Sequence, residues 1–256
     1  MSLDACAEIV RRGDPDRFLT VVAAPLAARE RLLPLYAFNV EISRAPWITR
    51  EPMIAEMRLR WWRDTLGEIG DGGAPRAHEV AAPLAAVVRE TGLDIAVLDR
   101  MIEARAWDVW KEPFAGWDAL ETYLKDTSGA LMDAAARLLT GRVIPEASDF
   151  GFGTGVANWL VASPILKRKG CAPLVSWEAE AIRTLAENGL AALRGASAAR
   201  RTVPEAAAPA FWAGWQAAAL LRRAVIDPHR VAEGTLRIPE GRKKARLLWL
   251  SLTGRW

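Results

Sequence analysis

Residues 51–68 read EPMIAEMRLRWWRDTLGE. Within them Ile54, Met57, Trp61 and Leu66 recur at helical spacing, with Arg58, Arg60, Arg63 and Asp64 between. The spacing predicts one amphipathic helix with those four side chains towards a core. Trp61 and Trp62 stand about 100° apart around such a helix, so one belongs to a core and the other to a rim or an interface. The same material runs on in both directions. Of 256 residues, 47 are Ala and 28 of the 34 basic ones are Arg, and Ala, Leu, Arg and Glu favour helix. No period-2 alternation is sustained, and Pro and Gly clusters mark the breaks. The pattern predicts helices over 4–12, 15–24, 25–44, 51–68, 77–91, 93–107, 117–140, 149–163, 174–194, 205–226 and 240–252. The most turn-like loop is Gly70-Asp71-Gly72-Gly73-Ala74-Pro75. No long linker and no internal repeat interrupts the series, so the expectation is a single all-α domain over 1–256.

Composition excludes several classes. With 51% hydrophobic and 25% charged residues the chain is neither disordered nor collagen-like. A formal net charge of +3 gives no bulk argument for nucleic acid. Cys6 and Cys171, far apart, make neither a metal-ligand spacing nor a disulfide scaffold, and are expected to be free thiols. The beginning of the chain carries Asp4, Glu8, Asp14 and Asp16 without an apolar run, so no signal peptide is expected. The longest uncharged stretch, Phe150 to Leu166, has 17 residues and includes Gly151, Gly153, Gly155, Asn158 and Pro164. It falls short of a membrane span and reads as a buried helix.

Three segments are more specific. Leu35-Tyr36-Ala37-Phe38-Asn39 follows Ala24-Pro25 and Arg31; Arg58-Leu59-Arg60-Trp61-Trp62-Arg63-Asp64 comes next; Tyr123-Leu124-Lys125-Asp126-Thr127-Ser128-Gly129 comes third. In that order and spacing they resemble the squalene/phytoene synthase family, over roughly residues 15 to 195. The resemblance implies an isoprenoid-synthase-like helical bundle around a central cavity. Enzymes of that family join two prenyl diphosphates, using two aspartate-rich motifs on facing helices. A DxxxD spacing sets both carboxylates on one helix face, and two such faces hold Mg²⁺ ions that neutralise the departing diphosphate.

At the places the resemblance assigns to those motifs, this chain differs. After Tyr36-Ala37-Phe38 come Ser43, Arg44, Ala45, Pro46, Trp47 and Ile48, and no acid lies between Glu41 and Glu51. After Gly155-Val156-Ala157-Asn158 come Trp159 to Lys169, and no acid occurs in the 28 residues from Phe150 to Trp177. Both metal faces are read as erased, with Arg44, Lys167, Arg168 and Lys169 as basic newcomers. Ala37-Phe38-Asn39-Val40-Glu41 also resembles the AFN-x-E segment of the family's non-catalytic branch, which includes its mitochondrial complex I assembly factor.

The cavity or relic-site candidates are therefore Tyr36, Asn39, Glu41, Arg44, Tyr123, Gly129, Asn158 and Lys167. Each has an ordinary alternative. Glu41 reads more readily as a salt-bridge partner than as a metal ligand, since a lone carboxylate is a poor Mg²⁺ site. Asn39 and Asn158 read as helix-packing hydrogen bonders before polar relics. Arg58 and Arg63 read as partners of Glu56 and Asp64. His78 and His229 lack the neighbours of a catalytic base. Gly151-Phe152-Gly153-Thr154-Gly155 reads as close helix packing, without the GxGxxG spacing or the preceding strand of a nucleotide loop.

From Arg222 onwards there are nine Lys or Arg against three acids. Arg242, Lys243, Lys244, Arg246 and Trp249 pack charge against Leu and Trp in one segment. That pattern suits a helix lying on an anionic membrane surface as well as a closing bundle helix with a solvated basic face. Three functions stay open. The first is a non-catalytic assembly or stability factor for a membrane-associated, complex I-like assembly, with no catalytic residues, metal or cofactor. It would work peripherally on the cytoplasmic or organelle-matrix side of the inner membrane. The second is a prenyl transferase with atypical ligands, Arg44 and Lys167 holding diphosphate and Asp126 or Asp133 supplying Mg²⁺. The third is a lipid or polyprenyl carrier. No nucleic-acid partner is expected.

Overall fold

The computed structural model describes residues 3–254 and Trp256, apart from the side chains of Glu240, Lys244 and Ser251. Lys244, one of the membrane-surface candidates, therefore lies outside the described side chains. Among the described residues every regular element is helical. They fall into two compact units: the first ends at Trp110 and also takes Ala134–Val143, while the second comprises Lys111–Asp133 and the chain from Ile144 on.

The first unit contains α1 (Leu3–Gly13), α2 (Pro15–Ala23), α3 (Leu26–Ile48), α4 (Pro52–Gly70), α5 (Ala81–Thr91), α6 (Ile95–Ala104) and α7 (Ala106–Trp110). Local chemistry sets several of their ends. The Asp14 carboxylate accepts the Arg17 backbone N–H at 3.0 Å, with Pro15 opening α2. Asp94 does the same for Ala96 N–H at 2.9 Å. Gly92 ends α5 at φ +66°, a conformation that favours glycine. At the centre, α3 is buried on nearly all sides through Leu32, Leu35, Tyr36, Phe38, Val40 and Ile42. A helix apolar all round belongs inside, and α1, α2, α4, α5 and α7 pack against it.

The α4 face differs from the sequence expectation. Its buried stripe is Ala55, Leu59, Trp62, Leu66 and Ile69, while Ile54 and Met57 are exposed. Of the tryptophan pair, Trp62 is in the core, edge-on to Phe38 with ring centroids 5.2 Å apart, and Trp61 is half-buried. Both stripes keep helical spacing, and what decides between them is bulk: Trp62 edge-on to Phe38 buries more apolar area than Met57 would. The expected partners also change. Arg63 makes a two-pronged pair with Asp99 at 2.7 and 2.8 Å, and Glu56 accepts the Trp110 indole N–H at 3.1 Å.

The second unit begins with α8 (Trp117–Leu124), which passes through a π-helical turn, Lys125–Gly129, into α9 (Ala130–Thr140), whose residues from Ala134 on belong to the first unit. Then come α10 (Pro145–Arg168), α11 (Ala179–Ala198), α12 (Ala208–Trp212), α13 (Ala217–Ile226), α14 (His229–Ala232) and α15 (Glu240–Thr253). Within this unit α10 is the central helix, with the π turn, α11 and α13 against it.

Several boundaries differ from the expected ones, and proline explains most. The sequence reading ends helices at 44 and 163, ahead of Pro46 and Pro164. Instead α3 runs to Ile48 and α10 to Arg168, straight through both. A buried interior proline forfeits one backbone hydrogen bond and the helix continues. Just before it, the Ser163 hydroxyl donates to Trp159 O at 2.7 Å. Conversely, Pro145 opens α10 four residues before the expected start, and Pro83 in the first turn of α5 fits a start at Ala81 rather than 77. The expected helix over 205–226 is broken into a 3₁₀ turn, α12 and α13, with turns around Gly214.

Candidate functional site

In the first unit, the segment expected to lead into the first aspartate motif is the buried middle of α3. Tyr36 is fully buried beneath the Arg17 guanidinium, which sits 4.8 Å from its ring centroid. Burial pushes the Tyr36 hydroxyl above its ordinary pKa, against the opposing pull of Arg17. Asn39 is buried as well. One turn on, Glu41 pairs with Arg44 at 3.7 Å, so these two candidates are brought together. Glu41 also lines a cavity of ≈ 200 Å³ with Ala45, Ile48, Arg58, Trp61, Trp62 and His78. The His78 ring lies 5.2 Å from Trp61 and 5.1 Å from Trp62, and its Nδ1 accepts the Val80 N–H at 3.2 Å. The sequence reading set His78 aside; only its distance along the chain from Trp61 hid their pairing.

In the second unit, Tyr123 is buried in an aromatic cluster, its ring 5.0 Å from Trp159 and 5.6 Å from Phe114. Trp159 is tethered by its indole N–H to Pro173 O at 2.7 Å. The π turn places Gly129 against α10, where an added Cβ would lie 3.2 Å from Ser148 O. The approach is mutual, since a Cβ on Gly151 would lie 2.7 Å from Ser128 O and 2.8 Å from Gly129 Cα. Glycines at this crossing let two backbones touch, so the Gly151–Gly155 run is a packing device. Beyond it α10 keeps an open edge: Asn158, Val161 and Ile165 are exposed at i, i+3 and i+7. Lys167 is exposed and holds its ammonium 4.3 Å from the Trp177 ring centroid, a cation–π contact. Lys125 does the same over Phe152 at 5.7 Å and pairs with Glu121 at 2.7 Å.

The α15 candidates divide. Arg242 and Trp249 are exposed, while Lys243 and Arg246 are half-buried. Leu250 points inward; Leu248 and Leu252 are exposed with Trp249. No helix of the described residues is long and apolar enough to cross a membrane. Among the described residues, no three His, Cys, Asp or Glu side chains gather into a metal-holding group.

A crystal structure of a dehydrosqualene synthase superposes with a TM-score of 0.78 at 17% identity, covering 98% of this chain and 95% of that one. A squalene synthase from Alicyclobacillus acidocaldarius gives 0.70 at 14% identity over 89% and 94% of the two chains. At such identities the likeness concerns the fold, which is that of the isoprenoid synthases. In sequence, the chain is 26% identical to the Bos taurus NADH dehydrogenase (ubiquinone) complex I, assembly factor 6, over 62% of this chain and 48% of that protein. It is 27% identical to the Drosophila melanogaster homolog over 66% and 53%, and 27% identical to a phytoene synthase of Cereibacter sphaeroides over 61% and 46%. The chain thus spans about half the length of the curated relatives it matches. The family model for squalene/phytoene synthase matches residues 10–174, and on that match the chain belongs to the squalene/phytoene synthase family.

Proposed function

We propose that this chain is a non-catalytic member of its family, an assembly or stability factor for a membrane-associated respiratory complex of the complex I type. The observation that carries this reading is the donor set on α3 and α10. A Mg²⁺ ion demands near-octahedral oxygen ligation, and a diphosphate site draws several carboxylates. The second half of α3 offers Glu41, which is already paired with Arg44. The stretch from Phe150 to Trp177 offers no carboxylate. These residues do not fit a Mg²⁺–diphosphate centre. Further support comes from the mammalian and insect relatives that are named as complex I assembly factors.

On this reading the protein works by presenting surfaces. Tyr36, Asn39, Tyr123 and Gly129 serve packing. Arg242, Lys243, Arg246 and Trp249 of α15 bring the protein to the inner membrane, on its cytoplasmic or matrix side. The similarity to a phytoene synthase keeps prenyl transfer as the rival. Purified protein incubated with prenyl diphosphates and Mg²⁺ distinguishes the two: no condensed product is expected, and Mg²⁺-dependent product overturns the proposal. In parallel, affinity capture of the tagged chain from membranes in mild detergent is expected to retain complex I subunits. Capture of copurified prenyl lipid alone would favour a carrier.

A further inference from the structure

The second unit holds a basic hollow whose lining includes part of the basic face of α15. Between α13 and α15 lies a cavity of ≈ 210 Å³, with Trp215, Gln216, Arg223, Arg242, Lys243 and Arg246 in its lining. Four of these six are cations, and none of the described residues lining the cavity is acidic. Arg223 is fixed by donating to the Arg237 carbonyl. Arg246 is half-buried, and its Nε has no hydrogen-bond partner among the described residues. Burial, together with the neighbouring Arg222 guanidinium, pulls the Arg246 pKa below its ordinary value. Four like charges around a small hollow repel one another, and an arginine held there with a free N–H is an offer to an anion. The guanidinium fork matches phosphate oxygens in pairs. Three such forks exceed what one carboxylate can use.

The carrier of that phosphate is indicated by the rest of α15. Arg242, Arg246 and Trp249 are spaced i, i+4 and i+7, which puts them on one stripe of the helix. Past the hollow, Leu248, Trp249 and Leu252 are exposed. Cations at one end of a helix and bare apolar side chains at the other match a headgroup phosphate and the acyl boundary beneath it. We propose that this hollow seats the phosphate of an anionic lipid headgroup, held by Arg223, Arg242 and Arg246, while Trp249 and Leu252 enter the lipid. The proposal deepens the membrane-surface part of the function above and rests on it.

The test uses the full chain with two probes, lipid vesicles and inorganic phosphate. Cosedimentation is expected with phosphatidylcholine vesicles containing phosphatidylglycerol and not with phosphatidylcholine alone. R246Q and R242Q are each expected to weaken that binding about tenfold, the loss of one strong charge-assisted contact. R201Q, removing an exposed charge elsewhere on the unit, changes it less than twofold. Inorganic phosphate is expected to compete with the vesicles and to raise the Tm of the wild type but not of R246Q. R246Q is checked by circular dichroism, and R242Q, at an exposed position, gives a second test independent of packing. Binding weakened equally by R246Q and R201Q, with no phosphate effect on Tm, overturns the pocket while leaving membrane contact standing. No binding to either vesicle overturns both. A phosphate effect on Tm without vesicle binding overturns the lipid assignment in favour of a free phosphate compound.

Discussion

At Gly153 the space that a side chain would need is taken by the backbone of α11: a Cβ there would lie 2.6 Å from Gly189 O and 2.7 Å from Leu193 Cγ. A carbonyl oxygen inside a helix cannot swing away as a side-chain tip can. Gly153→Ala is therefore expected to destabilise the protein by about 1–3 kcal/mol, as overpacked cores do. Gly195→Ala, on α11 with nothing within 4 Å of the added atom, is expected to be neutral or to stabilise by up to about 1 kcal/mol. Urea midpoints of the two variants make the comparison. Cys6 carries a second prediction. Burial, and then the charge of Glu79, push its thiol up to about 11 from an ordinary value of 9.0. The folded state therefore holds the proton more tightly than the unfolded chain. The resulting stability is complete below about pH 9 and is lost as pH rises through about 11. Wild type should lose more stability than Cys6→Ala between pH 8 and 10.5; equal losses in the two would refute the shift. At this scale the sequence was partly legible. The Gly151–Gly155 run announced close packing. Nothing in it announced which backbone each glycine meets, because Gly189 and Ser128 are distant in the chain and near only in space.

Among the elements, α4 is the most instructive. Its sequence supports two apolar stripes about 100° apart, and periodicity alone does not choose between them. The choice is made by Phe38 on α3, which receives Trp62 edge-on. Trp62→Ala is expected to cost about 3–5 kcal/mol. Met57→Ser, at an exposed site, should stay within about 0.5 kcal/mol. Similar losses in both would put the stripe back where periodicity first set it. Helix ends were legible where a cap or an initial proline stood, as at Asp14-Pro15. They were misjudged at Pro46 and Pro164, because the cost of one missing hydrogen bond is smaller than the gain from burying the turns beyond it.

For the whole molecule, Ala, Leu, Arg and Glu enrichment made the all-α class readable, and three ordered motifs made the family readable. The site was less so. Ser43, Arg44 and the acid-free stretch from Phe150 to Trp177 were readable as identities, but what these side chains do was not. The pairing of Glu41 with Arg44 is an i, i+3 contact within α3 and was locally legible, whereas the grouping of Trp61 and Trp62 with His78 depends on the chain returning to α4, which no local pattern encodes. A protein whose native state holds a metal is stabilised by it. Millimolar Mg²⁺ is accordingly expected to leave the Tm unchanged here; a rise of several degrees would argue for a bound metal ion and against the proposed function. The π turn at Lys125–Gly129 carries one more residue than an α-helical turn needs. Five residues at the π pitch turn through almost the same angle as four at the α pitch, so losing one residue here would let the segment relax to plain α-helix with α8 still facing as before. Tyr123 would keep its place beside Trp159. The same loss in the middle of α10 would rotate every later side chain of that helix by about 100°. A single-residue deletion is therefore expected to be tolerated between Lys125 and Gly129 and not within α10, a contrast that urea midpoints of the two deletion variants would show.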